Sequence, residues 1–321
     1  MKFFIKRLNG SYIECIADGF AFLGSAGIVQ ANDRIAIKPN LTYPQFKPGV
    51  MTTVDALKAV VSYLKEFTEH ITICESDSGG YNPFSMDEVF RATGIAEFAR
   101  KHNVQVVNMS TIPSRNIEVR AGMRRLSIPL PTLLLDDTDR FITMPVPKVH
   151  CNTTVSLSMK NQWGVIQHPA VRLTLHPYFQ EVIYAVNAAM PGLLTIIDGQ
   201  YGLTRNGPMR GDVKALNWIA MSDNLYRADS IVAEIMGFDP RAIPHIRYAL
   251  NKEGINVDQP FECNCDYRRF MAEPPFYLER AWTDLPGLAA FKSRLIAYLG
   301  YESILAQPLH KLLYLFREPF Y

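Results

Sequence analysis

The residues able to do chemistry fall in a recurring place, at the ends of short runs rich in β-branched amino acids. The run 34–38 (RIAIK) ends in Lys38 and leads to Asn40, and 71–75 (ITICE) leads to Asp77 within the segment 75–80 (ESDSGG). The run 141–145 (FITMP) leads through Val146 and Pro147 to Lys148 and His150. Two more runs, 193–198 (LLTIID) and 216–222 (LNWIAMS), deliver Asp198 and Asp223. If these runs are parallel strands, their carboxyl ends converge on the crevice where open α/β sheets bind ligands. The plain alternative is helix capping, which suits a single Asp or Asn and is the better reading for Asp223. Lys38, Lys148 and His150 cannot cap a helix N-terminus.

Two further segments are unusually polar. Residues 159–164 (MKNQWG) carry Lys160 and Asn161 and lead towards His168, Arg172 and His176. Residues 199–211 (GQYGLTRNGPMRG) hold four glycines with Arg205, Asn206 and Arg210. A glycine-rich loop after a strand can turn backbone N–H groups towards an anion. It lacks the spacing of either nucleotide-binding glycine motif, and turn chemistry alone accounts for its glycines. The surrounding cations favour an anionic ligand.

The chemistry these residue types suit is acid–base work on a small anionic molecule bearing carboxylate or phosphate. Lys38, Lys148, Lys160 and Arg172 hold anionic oxygens, and Asn40, Asn161, His176, Asn206 and Gly207 complete the substrate site. His150 moves the proton, since imidazole alone titrates near neutrality unperturbed. Lys148 and Lys160 stabilise charge, and Asp77 or Asp198 orients a partner or holds a divalent cation with His150. Neighbouring lysines also depress each other's pKa, which frees one as a base or Schiff-base nucleophile. Two readings from other classes stand beside this enzyme. One is a metal- or redox-handling protein using Asp77, Asp198, Asp223, the histidines, or Cys263 and Cys265. The other is a non-catalytic module that binds through an aromatic C-terminus. No G-x-S-x-G, H-E-x-x-H or zinc-finger spacing is present.

The elements that must position these residues alternate between strand and helix. Helical patterns occupy 54–67, with Thr52 and Thr53 as caps, and 85–102, with the Ser85–Glu88 capping box. Further helices fall at 178–189 and 228–236, and 104–108 (VQVVN) is another strand. This predicts an α/β fold with a mostly parallel central sheet and helices on both faces. The segment 117–129 alternates about Ala121-Gly122 and predicts an inserted β-hairpin. The body spans 1–256. From 257 to 321 the chain is rich in Pro and aromatics, with amphipathic helices near 288–299 and 305–316, and is expected to pack on the body as a helical extension.

Composition narrows the class. With 321 residues, 48% hydrophobic and 20% charged, the chain is an ordinary globular protein. A net charge of +2 removes any bulk argument for nucleic acid. No window reaches the ~18 apolar residues of a membrane span. Polar residues 6–14 interrupt the apolar start, so the N-terminus reads as a strand followed by a helix over 18–29 rather than a secretory signal. Cytoplasm is the default location. The odd set Cys15, Cys74, Cys151, Cys263 and Cys265 reads as reduced thiols. A divalent metal and a homo-oligomer are left open.

The motifs IAIKPNL (35–41), ESDSGG, PKVH (147–150), SMKNQWG (158–164), Arg172 with His176, IDG (197–199), RNGPMRG (205–211) and the pair Asp223 and Asp229 occur in one order. Together they resemble the domain of unknown function 362 family over residues 19–249. Many members of that family carry a ferredoxin-like cysteine module. This chain has none, so no iron–sulfur cluster is expected. The positions matching the family pattern are Lys38, Asn40, Asp77, Lys148, His150, Lys160, Asn161, Arg172, His176, Asp198, Asn206, Asp223 and Asp229. They largely coincide with the strand-end residues. Asp229 is the exception, because inside helix 228–236 its plain reading is a solvated or helix-N-terminal carboxylate.

Overall fold

The structure is a computed structural model that describes residues 1–24, 29–78, 82–313 and 315–316. Its strands are β1 (Lys2–Arg7), β2 (Ile35–Pro39), β3 (Ile71–Glu75), β4 (Gln105–Asn108), β5 (Ser114–Ala121) and β6 (Arg124–Pro131). They continue with β7 (Arg140–Met144), β8 (Lys148–His150), β9 (Thr154–Ser156), β10 (Leu194–Thr204), β11 (Asp212–Ser222) and β12 (Glu262–Cys263). The main sheet runs β12-β1-β11-β10-β7-β2-β3-β4. The run from β10 through β7, β2 and β3 to β4 is parallel, whereas β11 lies antiparallel to β10 and β1. The fold is thus α/β with a mostly parallel central sheet. β5 and β6 form the inserted hairpin, longer at each end than its alternation suggested.

Both faces of the sheet are buried, and alternate side chains along a strand enter one core or the other. Ile35 and Ile37 of β2 face one core, with Ile142, Ile196, Ile219 and Met221. That core is closed by α1 (Tyr12–Leu23), α2 (Val54–Leu64), α3 (Met86–Ala92) and α4 (Ile95–Lys101). Ala36 faces the other core, with Phe141, Ile197, Trp218 and Ala220. A short α5 (Thr132–Asp136) follows the hairpin, and α6 (Ser158–Asn161) and α7 (Pro169–Leu175) follow β9. The second core is closed by α8 (Phe179–Ala188), α9 (Leu225–Ile235), α10 (Pro244–Glu253) and the hairpin.

Several local expectations change. The helix expected over 85–102 is two helices, because Gly94 takes a left-handed φ of 75° between them. The Ser85–Glu88 capping box is present. Thr53 caps α2, but Thr52 instead donates to the Met144 carbonyl. The first helix starts at Tyr12, capped by Ser11, and residues 25–28 of the expected 18–29 helix lie outside the described residues. Gly79 and Gly80 of the ESDSGG segment lie outside them too. The glycine-rich loop expected over 199–211 is half strand, since β10 continues to Thr204. There Gly199 and Gly202 leave room for the Trp218 and Phe276 rings, with which a Cβ would collide.

The segment after α10 lies along the body. β12 pairs with β1, and Tyr267, Phe270 and Phe276 are buried in the second core. It continues through α11 (Leu285–Ala290), α12 (Arg294–Ala297), a π-helical turn (Tyr298–Glu302) and α13 (Ala306–Leu313). Residue 314 of the expected 305–316 helix is outside the described residues. No helix among the described residues is long and apolar enough to cross a membrane.

Candidate functional site

At the carboxyl edge of β2 and β3 a cavity of about 690 Å³ opens. Its floor carries Lys38, Lys148, Lys160 and Arg172, opposed by Glu75 and Asp284. Asn40, His150, Asn161, His176, Asn206 and Gly207 also line it. Asp77 and Asp198 are not among its lining residues.

Lys38 sits near the end of β2 and is 1% exposed. A cation there needs a partner. Its Nζ donates to Glu75 Oε2 at 2.7 Å, from the end of the neighbouring β3, and to Asn161 Oδ1 at 3.3 Å. Asn161 Nδ2 donates back to the Lys38 carbonyl at 3.3 Å and to Thr143 Oγ1 at 2.9 Å. Glu75 was not foreseen as a site residue. A carboxylate closing the run ITIC signals a buried group that needs a partner, though not which partner it meets.

Lys148 and His150 come from β8, which is held between β10 and β9. Gly207 lets the 205–211 loop close on this strand, since a Cβ there would stand 1.9 Å from the Val149 carbonyl oxygen. Lys148 Nζ donates to the Val50 carbonyl at 2.7 Å. Burial pushes its pKa down to about 7, with Lys160 and Lys38 adding like charge. His150 Nδ1 accepts from the Asn152 backbone N–H at 3.1 Å, which leaves the proton on Nε2. Burial holds the His150 pKa well below its ordinary value, with Lys160 and His176 adding to the effect. The ring is a neutral hydrogen-bond donor at pH 7.

Lys160 projects from α6 over the faces of Trp163 and Phe179, 5.5 and 5.4 Å from their centroids. Among the described residues no group accepts a hydrogen bond from its Nζ. Its pKa is pushed down to about 7, chiefly by burial and then by Arg172. The helix that carries it is only one turn long and is anchored by Asp229. That side chain, fully buried, accepts from the Ser158 and Met159 backbone N–H groups, each at 2.8 Å. Asp229 is therefore neither solvated nor a helix-terminal charge. It is a cap supplied across space, and burial raises its pKa to about 7.

Three expected ligand contacts take other roles. Arg172 donates from Nε to the Ile166 carbonyl at 2.6 Å, from Nη1 to the Asp77 carbonyl at 2.8 Å, and from Nη2 to Ser76 Oγ and the Gly164 and Gln167 carbonyls. It clamps the 164–168 loop to the end of β3 and adds positive charge to the floor. Asp77 accepts from the Met86 N–H at 2.7 Å and from Asn108 Nδ2 at 3.0 Å, so it ties down the start of α3. Asp198 lies within β10, not at its end, and accepts from the Thr53 N–H at 2.7 Å and Tyr12 Oη at 3.1 Å. It ties β10 to the start of α2. Asp223 leaves the crevice for a topological reason: β11 runs antiparallel, so its end lies at the opposite edge, where Asp223 accepts from the Lys2 N–H. Among the described residues no three His, Cys, Asp or Glu side chains come together as a metal site. The cation postulated between Asp77, Asp198 and His150 has no ligand set there.

The remaining members hold the walls. His176 donates from Nδ1 to the Arg172 carbonyl at 2.7 Å, packs on Trp163 and stacks on Phe291 of the C-terminal segment with centroids 4.2 Å apart. Burial lowers its pKa to about 3. Asn206 donates to the Glu279 carbonyl and to Asp284 Oδ2, joining the 205–211 loop to that same segment. The Asn40 N–H donates to Thr52 Oγ1 at 2.8 Å.

A thylakoid-associated protein of Synechocystis sp. is 24% identical over 250 residues, covering 73% of this chain and 72% of that protein. Among solved structures, a Thermotoga maritima protein aligns at 13% identity and a TM-score of 0.42 over 65% of this chain. The lactate racemase apoprotein of Thermoanaerobacterium thermosaccharolyticum aligns at 12% identity and a TM-score of 0.44 over 72% of it. The chain spans 54% and 56% of those two structures. Residues 35–234, which include Lys38, Glu75, Lys148, His150, Lys160, Asn161 and Asp229, match the Domain of unknown function (DUF362), and the chain belongs to that family.

Proposed function

We propose that the protein is an enzyme that binds a small carboxylate- or phosphate-bearing molecule over the cationic floor of this cavity and moves a proton on it. The observation that carries the reading is the convergence of Lys38, Lys148 and Lys160 on one cavity where, among the described residues, Glu75 and Asp284 are the opposing carboxylates. Lys38 is already paired with Glu75. Lys148 and Lys160 are left to meet the anion, and His150 donates a neutral hydrogen bond from Nε2. An amine with a pKa near 7 takes and returns a proton at physiological pH. The proton-transfer role expected for His150 therefore passes to Lys148 or Lys160. Five free cysteines suit a reducing cytoplasm.

A thermal-shift panel of short carboxylates and inorganic phosphate tests the binding half. Stabilisation at pH 6 should fall at pH 9, as the lysines lose their charge, and should disappear in Lys148→Met and Lys160→Met. Equal stabilisation in these variants would contradict the site. For the chemistry, each binding carboxylate is incubated with the protein in heavy water and followed by proton NMR. Loss of a carbon-bound proton signal in the wild type, absent from both variants, is the expected result.

A further inference from the structure

The cavity has two chemistries. Opposite the cationic floor its wall is apolar and is built by the C-terminal segment, with Leu288, Ile296, Leu299, Leu309, Leu312 and Phe316. A carboxylate head, taken as two or three water volumes of about 30 Å³ each, fills only a small part of the 690 Å³. Most of the remaining lining is hydrocarbon, with Thr283, Tyr301 and His310 as polar interruptions. The same wall reaches the surface, where Ile296, Leu309, Leu312 and Phe316 are 40–61% exposed. Apolar side chains that line a cavity and also face solvent leave their cost unrecovered until something apolar covers them.

We infer that the ligand is an anionic amphiphile: a carboxylate or phosphate head on a single long alkyl chain, with the head over Lys148 and Lys160 and the chain against α11–α13. This inference rests on the proposed anion site and adds the tail. Charge complementarity fixes the polar end at the floor, and the mainly apolar wall fixes the direction in which the chain leaves. Each methylene that becomes buried tightens binding about fourfold.

Isothermal titration with butyrate, dodecanoate and dodecanol, all at submillimolar concentration for the long chains, tests it on the full chain. Dodecanoate should bind at least about a hundredfold tighter than butyrate. Leu309→Gln and Leu312→Gln, both at exposed positions on α13, should weaken dodecanoate at least tenfold and butyrate far less. Lys148→Met should weaken both acids and leave dodecanol unchanged. Dodecanoate binding no tighter than butyrate, or unaffected by the α13 variants, overturns the amphiphile while the anion site stands. Dodecanol binding as tightly as dodecanoate overturns the anionic head, and with it the anion site. Circular dichroism of each variant confirms that it is folded.

Discussion

Lys148 carries the sharpest physical consequence at the level of single residues. Its side chain is buried with a carbonyl for company and its pKa is drawn from the ordinary lysine value of about 10.4 down to about 7. Between those values the unfolded chain holds a proton that the folded chain does not, so this residue makes stability rise with pH from about 7 to about 10. Below pH 7 both states are protonated and the whole cost of the buried charge is present. Lys148→Met should therefore gain stability at pH 6 relative to pH 10, by about 4 kcal/mol between the two. Denaturant unfolding at both pH values checks this, and an equal change at both would refute it. Glu75→Gln acts in the other direction. It leaves the Lys38 ammonium buried without its carboxylate and should cost about 3 kcal/mol or more, whereas pairing Glu75→Leu with Lys38→Met should cost less. Lys38, Lys148 and His150 were legible because cations and imidazole at strand ends have no capping role, and Lys160 and Asn161 because they stand together in an unusually polar run. Glu75 was passed over, and Asp77 and Asp198 over-read, because sequence does not distinguish a carboxylate that meets an ammonium from one that meets the N–H groups of the next helix.

The element that most depends on a distant residue is α6, a single turn holding Lys160 and Asn161. An isolated turn of helix does not nucleate by itself, and Asp229 supplies the acceptor for its first two N–H groups. Asp229→Ala leaves both buried donors unsatisfied and should cost about 2–4 kcal/mol. Asp229→Asn keeps one acceptor and should cost less. Anion binding should weaken in step with stability, measured by melting temperature and titration in parallel. β8 depends on Gly207 in the same manner. Gly207→Ala places a methyl against the Val149 carbonyl, between Lys148 and His150, and should reduce anion binding at least tenfold in a protein that still folds. Most strands were legible from their β-branched runs. The extension of β10 past Asp198 was not, because its glycines read as a loop until Trp218 and Phe276, far away in sequence, are seen packed on them. The break at Gly94 was hidden by an apolar period that continues across it.

For the whole molecule, the parallel strands explain why one edge collects the lysines, and the reversal at β11 explains why Asp223 is excluded from it. The chain after residue 256 adds an edge strand, three buried aromatics and one wall of the cavity. Truncation at residue 256 should therefore expose the second core and give insoluble protein, while truncation at residue 281 should stay soluble but lose the apolar wall. Soluble protein from the shorter chain would show that the segment is dispensable to the fold. The alternation of elements and the change of composition near 256 were visible in the sequence. The way the segment turns back over the lysines was not, because no periodicity encodes a contact between chain end and sheet edge.

Two lysines that share one cavity and are half-protonated near neutrality decide whether this cavity binds an anion. Protein labelled with carbon-13 at the lysine ε position, with Lys148→Met and Lys160→Met assigning the signals, lets each be titrated directly by NMR. We expect both to titrate with midpoints near pH 7 and to shift upwards when dodecanoate or phosphate is added. If both titrate above pH 10 in the folded protein, and do not move with either anion, the cavity is not the site described.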